Sequence, residues 1–279
     1  MLLLPRRLLL LIVCVALVAA VGFSVAVIAF GSNTADAHGP ELSGRTLRVG
    51  LGWLPPPDTP DMRLYMEEGF ELALAAEIAA ELGATLHLAE VRPEDAARAL
   101  GAGEVDLVLA RAGADDPLRR TALVLDTGFQ SGLSLVMRSD RPLRSWAELK
   151  GRVVCASEAN GHGQALARRL GAEVRVLRAP APALMRVRTG DCDAAIHDRA
   201  LLDPLFAKMS WQKFSATLPP VEPTGLVVAL APGEKALAAA VQAALVPLDT
   251  RERWQQRREK WAATVSFEVY RDQVAADCH

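Results

Sequence analysis

Residues 103–132, GEVDLVLARAGADDPLRRTALVLDTGFQSG, decide how the rest of the chain is read. A short apolar run, Val105 to Ala110, leads into a polar turn that carries Arg119 and Arg120. A second apolar run follows at Ala122 to Leu125. A strand running into such a turn places cationic forks at the carboxyl end of a sheet, where ligands of open α/β sheets bind. A guanidinium suits a carboxylate there because it can donate two parallel hydrogen bonds. Of the pair, Arg119 is the candidate fork and Arg120 faces solvent.

The runs around this stretch alternate between two periods. Arg45 to Leu51 reads as a first strand, and Pro55, Pro56, Pro57 and Pro60 then hold an extended loop, each fixing φ and lacking a donor. Glu71 to Leu82 reads as a helix, with Leu74, Ile78 and Leu82 on one face and Gly83 at its end. Strands are expected at Thr85–Val91, Gly132–Arg138, Gly151–Ser157, Glu173–Leu177, Cys192–His197 and Thr224–Leu230. Helices are expected at Pro93–Leu100, Gln164–Leu170, Ala181–Arg188, Ala200–Phe206, Glu234–Val246 and Arg251–Ala262. Ser145 with Glu148 three residues on has the form of a capping box for a short helix. Strand and helix in alternation with short links describe parallel sheet covered by helices.

Composition limits the function classes. The 279 residues carry a formal net charge of −2, and the body has no Lys/Arg cluster, so a nucleic-acid partner is excluded. At the start, Arg6 and Arg7 precede an uncharged apolar run from Leu8 to Phe30, followed by Ala35-Asp36-Ala37. The run is long for a cleavable signal and suits a spanning helix of about 20 residues, while the small-residue site suits cleavage. Residues 1–37 are therefore a signal anchor or a signal peptide, and both export the body to the periplasmic side of a bacterial inner membrane. Outside that run, Cys155, Cys192 and Cys278 allow at most one disulfide and fit no zinc spacing; buried or surface thiols are their default reading.

The order of short motifs resembles one family, the periplasmic solute-binding proteins of polar amino-acid ABC transporters. The resemblance runs over nearly all of Arg45 to Val265. Gly69-Phe70-Glu71-Leu72-Ala73 resembles the family's opening of its first long helix, and Leu100 to Asp106 its lead into a strand. Asp116-Pro117-Leu118-Arg119 resembles Thr-Pro-x-Arg, and Phe129-Gln130-Ser131-Gly132 stands where the family has Tyr-x-x-Gly. Trp146 to Gly151 is similar to the entry into the second lobe, and Gly190 to Asp198 to the Gly-x-x-Asp-Ala-x-x-x-Asp element. The resemblance implies an α/β, two-lobed type II periplasmic-binding-protein fold, with two parallel-type sheets and flanking helices. Its first lobe would be discontinuous, 45–136 and 226–279, and its second would be 137–225. Two hinge strands would join them, near Leu135–Arg138 and Thr224–Val227. It implies no cofactor, a small-molecule solute, and an inner-membrane permease or other membrane complex as partner.

Carried over residue by residue, Arg119 falls on the carboxylate-binding arginine and Asp198 on the ammonium-binding carboxylate. Asp198 also stands where it could cap the next helix. Asn160 and Gly161 lie in the turn whose backbone N–H groups can hold an anion. The departures cluster at the same place. Pro55 stands for a ligand-flanking aromatic that Trp53 could replace, and Arg111 with two alanines stands where the family has small hydroxyl residues. The expected solute is a small carboxylate-bearing molecule, an amino acid or a relative, with a more acidic solute or a vestigial cleft as alternatives. Hydrolase, zincin, Walker and dinucleotide-binding motifs are missing from the sequence. His197-Asp198 has no second pair to make a metal site, and Cys155 with His162 is a coincidental nucleophile–base pair. The expectation is of a non-enzyme.

Overall fold

The eight strands lie in one sheet, in the order β2-β1-β3-β8-β4-β7-β5-β6. In a computed structural model, described for residues 44–56 and 64–273, these are β1 (Thr46–Leu51), β2 (Thr85–Glu90), β3 (Leu107–Ala112), β4 (Leu123–Met137), β5 (Val153–Ser157), β6 (Glu173–Leu177), β7 (Ala194–Asp198) and β8 (Val221–Leu230). The helices are α1 (Glu71–Glu81), α2 (Ala96–Gly101), α3 (Leu118–Thr121), α4 (Gly161–Arg169), α5 (Pro180–Thr189), α6 (Arg199–Phe206), α7 (Lys235–Leu248) and α8 (Arg251–Asp272). The apolar run and signal site of residues 1–37, and Pro57 and Pro60, lie outside the described residues. Among the described residues no helix is long and apolar enough to cross a membrane.

Two parallel blocks, β2-β1-β3 and β7-β5-β6, match the two parallel-type sheets expected, but they are not separate. β8 pairs antiparallel with β3 and β4, and β4 pairs antiparallel with β7, so the two central strands carry the ladder from one block to the other. β4 is the element read least well from sequence. Ala122–Leu125 and Gly132–Arg138 look like two runs because Asp126, Thr127, Gly128 and Gln130 interrupt the apolar pattern, with only Phe129 apolar among them. Register shifts between Asp126 and Gln130 and between Ser131 and Leu133 absorb that interruption, and one strand results.

Period-two alternation explains how both faces of the sheet are filled. Leu107 and Leu109 of β3 join Leu226 and Val228 of β8 in the main core, while Val108 and Ala229 between them face a smaller cluster with Ala96, Ala99 and Leu118. In the second block, Val136, Cys155 and Ala195 face the main core, whereas Leu135, Val154 and Ile196 face a third cluster with Leu149 and Leu166. Parallel neighbours need a crossover helix, and α1 supplies the first, burying Leu74, Ala75, Ile78 and Ala79. Its turn-off is at Gly83, whose φ of 61° is left-handed.

Three further differences have local causes. α8 runs past Ala262 to Asp272 because Val265 and Val269 continue the buried stripe begun by Trp254 and Trp261, among charged residues that hide the period. Ser145 makes no side-chain cap, and its segment is a 3-10 turn, Trp146–Leu149, with Glu148 accepting from the Arg144 N–H at 3.3 Å. Cys155 and Cys192 are not thiols. They form a disulfide with Cα atoms 6.0 Å apart, joining β5 to the turn before β7, both side chains buried.

Candidate functional site

The carboxyl ends of β1, β3, β5 and β7 open onto one cleft of about 910 Å³. Gly52 and Trp53 follow β1, Ala110 and Arg111 lie near the end of β3 with Gly113 to Asp116 after it, Glu158 to His162 follow β5, and Asp198 ends β7. The loop into α1, Glu67 to Glu71, and Glu222 to Thr224 of β8 complete its walls. A parallel strand points its last carbonyl and the following loop in one direction, so strands distant in sequence present side chains to one space.

Arg111 crosses that space. Its Nη2 donates to Asp198 Oδ1 at 2.9 Å, and its Nε donates to Thr224 Oγ1 at 3.2 Å. The guanidinium carbon lies 4.7 Å from the centre of the Phe129 ring, which packs against Phe70 and Trp254. Arg111 and Asp198 are 19% and 17% exposed, so the pair is largely out of water. Burial raises the Asp198 carboxyl above its ordinary range while Arg111 opposes that shift. Asp198 precedes α6, yet its side chain makes no cap; the Ala200 N–H goes instead to the Ser131 hydroxyl at 3.0 Å.

A buried polar group adjoins this pair. The Glu68 carboxyl accepts from the Ser157 hydroxyl, and its other oxygen is 3.0 Å from His197 Nε2, out of line for a hydrogen bond. Burial pushes Glu68 up to about 8, helped by Asp198 and Glu71 and opposed by Ser157 and Arg111. Burial pushes His197 down to about 3, and the charge of Arg111 adds to this. His197 Nδ1 accepts from the Asp198 N–H at 2.7 Å, so the neutral ring carries its hydrogen on Nε2. Burial also raises Glu71, whose carboxylate turns back to the N–H groups of Phe70 and Glu71, and raises Glu67.

The other residues singled out from sequence divide. Trp53, Asn160 and Gly161 line the cleft with Arg111 and Asp198. Asn160 caps α4: its Oδ1 accepts from the Gly163 N–H at 2.8 Å, and its Nδ2 donates to the Ile196 carbonyl at 3.0 Å. Gly161 opens α4 at the cleft wall and is exposed. Arg119 is not brought to this lining. Its Nε donates to the Gly113 carbonyl at 2.8 Å, and its Nη1 and Nη2 donate to Asp126 at 3.2 and 2.7 Å. Arg120 is exposed and donates to the Asp115 carbonyl at 3.2 Å. Among the described residues no cluster of His, Cys, Asp and Glu could hold a metal ion. Cys155 is bonded to Cys192 and offers no thiolate for nucleophilic chemistry.

Sequence reasoning gave no site role to Glu67, Glu68, Glu71 or Glu222, and considered His197 only as half of a metal pair. One signal was available in Met66-Glu67-Glu68-Gly69-Phe70-Glu71, where two acids stand before a helix and a third opens it, at the end that favours negative charge. Glu222 was concealed in an extended run, yet it has a φ of 50° and links β8 to α4 through His162 Nε2 at 2.6 Å and through Arg169.

Several solved structures share the fold. An ancestral cationic amino acid solute binding protein superposes with a TM-score of 0.53 at 23% identity, over 77% of this chain and 95% of its own. An amino acid ABC transporter substrate-binding protein from Streptococcus pneumoniae, bound to L-arginine, gives 0.53 at 16% identity, over 79% and 95%. A mutant of ArgBP from T. maritima gives 0.52 at 20% identity, over 78% and 95%. At these identities the likeness carries the fold, the two-lobed type II periplasmic-binding architecture. Among curated proteins none matches the chain. The family model for bacterial extracellular solute-binding proteins, family 3, matches residues 57–264.

Proposed function

The chain belongs to the bacterial extracellular solute-binding proteins of family 3, and from that membership we propose that it holds a small amino-acid-type solute in the cleft for an ABC-type importer. Residues 45–136 and 226–279 form one lobe in this reading and 137–225 the other. The apolar run within residues 1–37 directs the body to the periplasmic side of the membrane, by anchoring it or by serving as a signal that is removed.

The observation that carries the reading is Asp198, a largely buried carboxylate at the end of β7 that faces the cleft instead of capping α6. It receives the solute's ammonium group. The start of α4 at Gly161 lies across from β3 and offers a partial positive charge to the solute's carboxylate, and Trp53 flanks the solute. Arg119 serves that carboxylate only by leaving Asp126. Calorimetry against L-amino acids and organic acids tests the reading. Asp198→Asn is expected to weaken binding at least about tenfold, the order of a charge-assisted hydrogen bond. Absence of binding in the panel by wild-type protein and Arg111→Met alike, or binding indifferent to Asp198→Asn, defeats it. A loss of similar size in Arg119→Ala assigns the carboxylate to Arg119.

A specific observation also favours a second reading. The two charges that the resemblance assigns to the solute are both paired internally, Asp198 with Arg111 and Arg119 with Asp126. A membrane-tethered accessory subunit that keeps the fold without transport binding would have this property. It predicts co-purification with a membrane complex and a mature protein that retains residues 1–37; a mature start at His38 removes the tether.

A further inference from the structure

Arg111 spans the two parallel blocks. It arises from β3, in one parallel block, and its charge is received by Asp198 of β7, in the other. Thr224 on the connecting strand β8 fixes the Nε edge, and Phe129 lies under the guanidinium plane. The contact made by Arg111 Nη2 on Asp198 has the chemistry of an ammonium N–H on a carboxylate: a single cationic donor at 2.9 Å in a site largely out of water.

We propose that Arg111 is a tethered stand-in for a solute's ammonium group, holding Asp198 across the cleft until a solute displaces it. The proposal rests on the solute-binding reading of this cleft and adds a cost that every ammonium-bearing solute must meet before Asp198 can receive it. Displacement is feasible because Arg111 retains partners when Asp198 is taken. Its Nε bond to Thr224 and its stacking on Phe129 do not involve the carboxylate. Glu68 and Glu71 also lie near enough to act electrostatically on both Asp198 and Arg111, so the released guanidinium remains among carboxyls. The resident contact lowers apparent affinity by the fraction of molecules in which Asp198 is engaged. It also selects against weak amines, which cannot outcompete a guanidinium held at fixed distance.

The test is calorimetric titration of the full chain in detergent with L-arginine, L-glutamine and L-histidine, comparing wild type, Arg111→Met and Asp198→Asn. Methionine keeps the apolar stem over Phe129 and removes the charge; Arg111→Gln replaces it should that variant not fold. Arg111→Met is expected to bind the preferred amino acid about tenfold more tightly or better, as a competing charge-assisted bond is removed. Arg111→Met/Asp198→Asn is expected to bind as weakly as Asp198→Asn alone. Binding by the wild type that Arg111→Met leaves unchanged or weakens overturns the displacement and leaves the solute-binding reading standing. Absence of binding by wild type and Arg111→Met alike defeats the solute-binding reading, and displacement falls with it.

Discussion

Glu68 is a carboxyl placed where charge is hard to keep, between Ser157, His197, Asp198, Glu71 and Arg111. Its ordinary value of 4.5 rises to about 8 in the fold. Between those values the folded protein holds a proton that the unfolded chain has released, so stability falls as pH rises through the window. His197 acts in the opposite sense, lowered from 6.5 to about 3, and removes stability as pH falls between these values. Above pH 6.5 the His197 contribution is constant and the carboxyl contribution remains. The melting temperature of the wild type is therefore expected to decline from about pH 6.5 to about pH 8, with Glu68 contributing at most about 1.4 kcal/mol per unit. Glu68→Gln has no proton to lose and should flatten part of that slope; an identical slope in the variant contradicts the assignment. Asp198 was legible through the family resemblance, as the last residue of the Gly-x-x-Asp-Ala-x-x-x-Asp element, and Arg111 as a departure from the family's small hydroxyl residues. Glu68 was not, since its burial depends on β5 and β7, whose contributions lie 89 residues and more along the chain.

The elements that matter most are those that tie distant segments together. The Cys155–Cys192 disulfide links β5 to the turn that launches β7, the strand whose far end carries Asp198, across a sequence separation of 37. Closing a loop of that length stabilises by about 3–4 kcal/mol in the chain-entropy account. Cys155→Ala/Cys192→Ala should lose that much in urea unfolding, and a loss below about 1 kcal/mol excludes a structural role for the bond. The pairing also agrees with folding in an oxidising compartment. Spacing alone could not choose among three cysteines, because the choice is made by β5 and β7 lying side by side. α8 is the second tie. It packs on α5, α6 and β4, with Trp261 donating to the Glu67 carbonyl at 2.9 Å and Ser266 accepting from Trp211 at 2.9 Å. Trp261 is fully buried, and Trp261→Ala is expected to cost about 3–5 kcal/mol by thermal or urea unfolding. A cost under about 1 kcal/mol would mean that α8 is peripheral to the core. Its length was underread because the polar residues around Trp254 and Trp261 dilute the helical period, and only the buried neighbours show the stripe continuing.

For the whole molecule, the sequence pattern was sufficient for the class of fold and for the alternation of strands and helices. It did not show that the two parallel blocks share one ladder, because antiparallel pairing of β4 with β8 is a long-range choice that no local period encodes. The shared main core runs through both blocks, from Leu47 and Leu74 to Leu201 and Trp211. The strands that connect the halves are therefore also among the most enclosed: Val227, Val228, Ala229 and Leu230 of β8 and Leu135 and Val136 of β4 are inaccessible to water. A slack loop hinge would release its amide protons to deuterium early. Here the connecting strands should be the last to exchange, approaching the global unfolding limit, while amides near the register shift at Asp126 to Gln130 exchange sooner. Early exchange at Val227 to Leu230 would contradict that order. Any bending between the two blocks would have to be taken up as twist along this continuous ladder, so a change in a single linker residue should matter less to it than a change in the pitch of the sheet.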